Sequence, residues 1–306
     1  MNKMRRYIFL LLLAAVAAVS CKSQFDALLS SNDTAAKYDA AFQYFNARKY
    51  QKSAQLFESL SALTGGTPQD DTVQFYWGLS NYRYKDYYTA EANLTKFLTN
   101  YPLSPFSDEA RFLRIDCLYR NTLRYELDQT PTRTAIASIQ QYLSESDGRE
   151  NIHGEACRKM LDDLEERLDR KAYEGARLYY KMEDYKASRV AFRNILKDDA
   201  ENVYREDILY YTAMSSYNYA FHSVASKRKE RYLTFIDDYL NFIGENPESK
   251  YRRELDVMYK RAQRALGRYS GTDKELETRS REFERERKQL EKAESKKNET
   301  SAKKAK

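Results

Sequence analysis

Histidine is the side chain best suited to acid–base or metal chemistry near neutral pH, and this 306-residue sequence contains two. His153 and His222 lie far apart, so they do not form a helical ligand pair of the HExxH type. Neighbouring carboxylates such as Asp162 and Asp163 lie in a highly charged stretch, where a solvated helix face is the simpler interpretation. The sequence has no GxSxG elbow and no glycine-rich phosphate loop. It therefore predicts a protein that is not an enzyme, with no catalytic residues, no metal and no cofactor.

Cysteine offers little further chemistry. Cys117 and Cys157 form no CxxC motif and have no metal-ligand spacing. An oxidising compartment would permit a disulfide between them. Because Cys117 falls in an apolar helical pattern, we expect two separate buried thiols instead.

Cys21 is the cysteine with a predicted modification. Basic residues precede an apolar run from Tyr7 to Val19, which is too short to span a bilayer and is typical of a secretory signal. The run ends in Ala-Val-Ser-Cys, which resembles a bacterial lipobox with Ala in place of the usual Leu. We expect residues 1–20 to be a signal peptide and Cys21 to carry lipid, including palmitate, with residues 21–34 as the lipidated N-terminus and tether. The alternative is ordinary cleavage, which would leave a soluble periplasmic protein.

The helices that could position functional side chains are indicated by a repeated sequence pattern. Its period is about 37 residues, close to the roughly 34 residues of a tetratricopeptide (TPR) repeat. Small and aromatic residues keep one spacing in each copy, which predicts a helix, a tight turn and a second helix. We expect an all-α, right-handed TPR solenoid of about five such repeats with a C-terminal capping helix, over residues 35–269. Residues 270–306 form a charged tail, predicted to be partly disordered. The aligned sets are Ala41, Tyr44, Tyr50, Ser53 and Phe57; Gly78, Asn81, Tyr87, Ala90 and Leu94; and Ala176, Tyr179, Tyr185, Ser188 and Phe192.

Aromatic residues recur at two positions of every first helix. If the small residue, Ala41 in the first repeat, is numbered eight, positions five and twelve lie two turns apart on one side of the helix. Basic residues follow position twelve in the second, third and fourth repeats. The pattern predicts an aromatic, cation-edged wall for a peptide with a terminal carboxylate. The alternative is that these rings pack between repeats. The candidates are Tyr38 and Phe45; Phe75, Tyr82 and Arg83; Phe112, Tyr119 and Arg120; Tyr173, Tyr180 and Lys181; and Tyr210 and Tyr217.

Charge does not indicate a nucleic-acid partner. The sequence carries 52 basic and 46 acidic side chains, but the segment from Lys274 onward holds 12 of the basic and 8 of the acidic ones. Three more basic residues lie in the predicted signal, so the body between them is nearly neutral. We therefore predict no nucleic-acid binding.

Two linkers carry a family resemblance. The segment YPLSPFSDEA at 101–110 and its echo NPESKYRREL at 246–255, together with the lipobox and the repeats, resemble the BamD (YfiO) family of lipoproteins. The resemblance implies a non-enzymatic scaffold for assembly and insertion of outer-membrane β-barrel proteins. It further implies that N-terminal repeats bind unfolded barrel proteins and that C-terminal repeats dock a BamA-like barrel-forming subunit. The location implied is the bacterial outer membrane, lipid-anchored, on the periplasmic face.

Two other functions use the same features. One is a periplasmic TPR adaptor for other cell-envelope machinery, and the other is a glycan-binding lipoprotein that uses the tyrosines as sugar platforms. The partners of the protein distinguish these functions from barrel assembly.

Overall fold

The computed structural model describes residues 24–145 and 152–267, together with five single positions beyond residue 280. The predicted signal peptide, Cys21 and nearly all of the charged tail therefore lie outside the described residues. Contacts divide the chain into two compact units, Met1–Leu164 and Glu165–Lys306. Every regular element in the described ranges is a helix, and consecutive helices pack as neighbours, which confirms the all-α helical-repeat prediction.

Within its described residues, the first unit contains seven complete helices and the start of an eighth. Its helices are α1 (Gln24–Leu29), α2 (Thr34–Asn46), α3 (Tyr50–Ser61), α4 (Asp70–Tyr84), α5 (Tyr87–Asn100), α6 (Ser107–Arg120), α7 (Thr130–Glu145) and α8 (Gly154–Lys181), the last of which continues into the second unit. The second unit adds α9 (Tyr185–Asp198), α10 (Arg205–Phe221), α11 (Ala225–Glu245) and α12 (Arg252–Ala265). α12 is the predicted closing helix.

The tight turns of three repeats share one backbone geometry. A residue with positive φ ends the first helix, and the next N–H donates to the carbonyl five residues earlier, as in a Schellman motif. Asp86 and Asp184 then cap the second helix by accepting hydrogen bonds from backbone N–H groups three residues on. The positive-φ residues are Arg48, Lys85 and Glu183, with φ of 57°, 70° and 63°, and the closing bonds are 2.8 to 3.0 Å long.

Buried serines join neighbouring repeats where the small residues bring helices together. Ser53 donates to the carbonyl of Ala41 at 3.0 Å, and its hydroxyl lies 3.1 Å from that of Ser80 on the next first helix. Ser188 and Ser215 repeat this contact in the second unit, at 2.9 Å. The same buried polar contact therefore recurs in both units, as the sequence repeat predicts.

The helices α8 and α11 are longer than those of the simple repeat. α8 is one helix of 28 residues, so the first helix of the fourth repeat is its C-terminal part. Its first half is rich in strong helix formers and buries Cys157 and Leu164 in the first unit. α11 has 21 residues against 14 in α9, so the second helix of repeat five is longer by about two turns.

The predicted tether also begins with structure. Residues of α1 form a short helix, and Phe25 is buried against repeat one, with its ring edge-on to Tyr44 at 5.5 Å. The ammonium of Lys52 lies 4.9 Å from the Phe25 ring centroid. These contacts hold α1 against the first repeat.

Both described cysteines are buried and free, which confirms the prediction of separate thiols. Burial raises the pKa of Cys117 to about 12 and that of Cys157 to about 11. Neither thiol is reactive in this state, because the thiolate is the nucleophile. Within the described residues, no helix is both long and apolar enough to cross a bilayer.

Candidate peptide-binding surfaces

The aromatic rings at position five stack on residues from the linkers between repeats. In four of the five repeats, the ring lies face to face with the residue that immediately precedes α6, α8, α10 or α12. We call these linker residues, Phe106, His153, Tyr204 and Tyr251, the linker rings. The pairs are Phe75–Phe106, Phe112–His153, Tyr173–Tyr204 and Tyr210–Tyr251, with centroid separations of 4.6, 3.9, 4.8 and 4.0 Å and interplanar angles of 7°, 5°, 7° and 16°.

The linker sequence fixes these rings. The Ser104 hydroxyl accepts a hydrogen bond from the N–H of Phe106 and donates one of 2.9 Å to Asp71 at the start of α4. Ser249 does the same for Tyr251 and Glu206, with a 2.6 Å bond to the carboxylate. The linkers at 101–110 and 246–255 therefore have equivalent structures. In each, a serine hydroxyl binds the preceding first helix and holds the backbone N–H of the aromatic residue.

Burial separates the predicted aromatic wall into two groups. Phe75, Tyr173, Tyr210 and Tyr217 are at most 8% exposed, so they belong to the core between helices. The remaining six rings, Tyr38, Phe45, Tyr82, Phe112, Tyr119 and Tyr180, are half-buried. A peptide could reach only this second group without rearrangement of the helices.

Three of the position-twelve tyrosines form hydrogen bonds to residues of α6, α8 and α10. Tyr82 donates to Asp116 at 2.6 Å, and Tyr119 donates to Asp163 at 3.0 Å. Tyr180 accepts from the amide of Asn218 at 3.1 Å. Burial and the bond to Asp116 raise the pKa of Tyr82, which keeps its hydroxyl protonated at neutral pH. These three tyrosines are therefore held by structural contacts and remain partly exposed.

The predicted cations differ in what they contact. Arg120 pairs with the buried carboxylate of Asp116, and its guanidinium lies 5.1 Å from the Tyr87 ring. Lys181 lies 4.0 Å from Glu174. Arg83 is exposed and makes no ion pair within the described residues. Of the three, Arg83 is therefore the cation most available to a ligand.

Two grooves of the first unit lie on the other side of the first helices, between the second helices of adjacent repeats. The first groove, of about 220 Å³, has α4 as its floor and α3 and the start of α5 as its walls. The second groove, of about 190 Å³, lies over α6 between α5 and α7. In the second groove Arg111 pairs with Glu145, and Arg114 pairs with Glu91. The positions that line these grooves were not among the predicted site residues.

One polar side chain distinguishes the first groove. Asn81 on its floor is 7% exposed, and its Nδ2 has no hydrogen-bond partner within the described residues. The aligned positions in repeats one and four are Tyr44 and Tyr179. The same position holds Leu118 in repeat three and Ser216 in repeat five, so no sequence signal at this position could have identified the groove.

Metal chemistry has no candidate site within the described residues, where no group of three or more His, Cys, Asp or Glu side chains converges. His153 instead stacks on Phe112 and lies 3.1 Å from Glu109, and His222 stacks on Tyr185 at 5.7 Å. Both histidines therefore have structural contacts in the described fold.

Comparison with known proteins identifies a family. No curated protein matches the chain. The family model YfiO, described as outer membrane lipoprotein, matches residues 30–233, about two thirds of the chain. This range begins after α1 and covers the first four repeats, α10 and the start of α11, including the linker at 101–110. The chain belongs to the YfiO family of outer membrane lipoproteins.

Proposed function

We propose that this protein is a lipid-anchored, non-enzymatic scaffold for the assembly and insertion of β-barrel proteins in the bacterial outer membrane. Membership of the YfiO family carries the proposal. Cys21 would hold the lipid anchor, and the described residues would face the periplasm. The first unit would receive unfolded barrel proteins, and the second unit would dock a BamA-like barrel-forming subunit.

The surface proposed for unfolded substrates is the first-helix edge, formed by Tyr82, Arg83 and Tyr119. Two half-buried rings and an exposed guanidinium suit a peptide that ends in an aromatic residue with a free carboxylate. Arg120 adds positive potential, although Asp116 neutralises much of it. The half-buried rings at the other repeats would extend the contact along the chain of a longer substrate.

The partners can be identified by purifying the tagged protein from detergent-solubilised membranes. We expect a barrel-forming subunit and outer-membrane proteins among its companions. The Cys21→Ala variant should lose membrane attachment while keeping its fold, because its anchor would be gone. Recovery of polysaccharide-export or nutrient-uptake proteins in place of the barrel machinery would refute the proposed function.

The first-helix edge is tested by titrating a peptide that ends in a Phe carboxylate and its amidated form. Arg83→Glu should weaken binding of the carboxylate form at least tenfold and change binding of the amide much less, because attraction becomes repulsion. Arg133→Glu, at an exposed arginine on α7, is the matched control. Arg120 stays unchanged, since its removal would leave Asp116 without its cation. Equal loss for both peptides would exclude a carboxylate contact at this edge.

A further inference from the structure

The first groove contains an unsatisfied hydrogen-bond donor. Asn81 is 93% buried from solvent, since 7% of its surface is exposed, yet its Nδ2 has no partner in the described residues. Leaving a buried donor unpaired costs about 1–3 kcal/mol. Asn81 lines the groove between α3 and the start of α5, so a ligand in this groove could supply the missing acceptor oxygen.

The rest of the groove has the chemistry of a cation site. Two aromatic rings, Trp77 and Tyr84, and two carboxylates, Glu58 and Asp86, line it, while none of its described lining residues is a lysine or an arginine. Tyr84 is 48% exposed, which leaves a ring face for a ligand. The ammonium of Lys96 lies 6.0 Å from the Trp77 ring centroid, which shows that this ring can have a cation near its face.

We propose that this groove binds a peptide segment of a partner protein that carries a lysine or arginine side chain. The Asn81 amide donates to a main-chain carbonyl of the segment. Its basic side chain lies against Trp77 and Tyr84 and pairs with Glu58 and Asp86. A peptide supplies the carbonyl and the cation together, whereas a neutral glycan would leave the two carboxylates without a counter-charge.

The equivalent groove in the next repeat lacks this chemistry. There, Arg111 and Arg114 lie on the floor and are paired with Glu145 and Glu91. A basic peptide would meet like charges in that groove. Of these two grooves, only the one at the junction of repeats one and two therefore has the chemistry of a cation site. It is also distinct from the first-helix edge, whose ligand carries the opposite charge, so either site can fail without the other.

Trp77 makes the proposal directly measurable, because it is the single tryptophan of the chain. The probes are acetylated and amidated alanine pentapeptides with lysine, norleucine or glutamate at the centre, titrated into the full-length protein in detergent. The lysine peptide should change the tryptophan emission saturably. The norleucine peptide should bind at least tenfold more weakly, and the glutamate peptide should give no response.

Two variants test the named contacts. Asn81→Leu should weaken the lysine peptide at least tenfold and should not lower the unfolding midpoint, because it removes an unpaired donor with little change of shape. Glu58→Gln, at an exposed position, should weaken binding of the lysine peptide without affecting the fold. If Asn81→Leu is poorly folded, this second variant tests whether the peptide binds in the groove. Gln141→Leu in the second groove is the control and should leave the titration unchanged.

Three outcomes would overturn the proposal. Equal affinity for the lysine and norleucine peptides would show that the carboxylates and rings do not select a cation. A tryptophan response to maltotriose with none to the lysine peptide would assign the groove to a glycan. An equal effect of Gln141→Leu and Asn81→Leu would place the peptide elsewhere.

Discussion

The linker rings lead to a prediction of gained stability. In four of the five repeats, the ring at position five stacks on a linker ring. In repeat one, the position-five ring is Tyr38, and the linker that follows provides no ring to stack on it. The residue equivalent to Phe106 is Gln69, which is exposed and directly precedes α4. Its backbone (φ −95°, ψ −8°) nearly matches that of Phe106 (φ −87°, ψ −4°). We therefore expect Gln69→Phe to complete the missing stack on Tyr38 without backbone strain.

The existing stacks set the size of the effect. Covering about 100 Å² of aromatic surface contributes about 2.5 kcal/mol at about 25 cal/mol per Å², and the ring pair adds about 0.5–1.5 kcal/mol. Phe106→Gln, the reverse change, should therefore cost about 3–4 kcal/mol. The gain from Gln69→Phe should be smaller, about 1–2 kcal/mol, because Tyr38 already contacts the Phe42 ring at 4.9 Å.

Urea unfolding followed by Trp77 emission measures both changes, since Trp77 and the two substituted positions lie in the first unit. Gln69→Leu is the matched control, because it adds apolar area without a ring and should give a smaller gain. The reasoning is refuted if Gln69→Phe leaves the free energy of unfolding unchanged or lowers it while Phe106→Gln costs less than about 1 kcal/mol.

Two further predictions concern packing and pH. A Cβ at Gly78 would lie 2.9 Å from Leu94 Cδ2, whereas one at Gly175 meets no atom within 4 Å. Gly175→Ala should therefore stabilise the protein by about 0.5–1 kcal/mol. The Gly78→Ala variant should be about 1–3 kcal/mol less stable than the Gly175→Ala variant, because its new methyl group would overlap Leu94. Equal free energies of unfolding for the two variants in urea titrations would contradict the close approach of the two helices at Gly78. The hydrogen bond to Asp70, followed by burial, raises the pKa of Tyr101 to about 12. The unfolded tyrosine ionises near pH 10, so above about that pH the unfolded state binds fewer protons than the folded state. The stability of the folded protein should therefore fall between about pH 10 and 12. Thermal melts at each pH should record this fall, and it should be less steep in the Tyr101→Phe variant.

Local chemistry in the sequence determined the helices and their repeat. The spacing of small and apolar residues is a property of each helix, and the buried serine contacts of Ser53 and Ser188 follow it in both units. The separate burial of Cys117 and Cys157 also followed from the apolar pattern around the first and the absence of a paired motif. The Gly-Gly and Pro segments near residue 65 likewise ended a repeat, because neither residue type suits a helix interior.

The single long helix α8 was not predicted from the sequence. Gly154 to Lys181 contains no strong helix breaker except Gly175, and propensity alone would allow either one helix or two. Burial of Cys157 in the first unit and of Tyr173 in the second fixes both halves as helix. Contacts distant in sequence decided this element.

Helical spacing placed the aromatic residues on one side of each first helix, but a surface stripe and a buried stripe have the same spacing. Only the tertiary structure decided between them, by bringing a linker ring onto position five in four of the five repeats, as Phe106 comes onto Phe75 from 31 residues away. The isolation of the Asn81 amide is likewise invisible in the sequence, because whether a buried donor finds a partner depends on atoms from other helices. Sequence thus determined which side chains lie on each helix face, and the packing of neighbouring helices determined which of those faces remains open to a ligand.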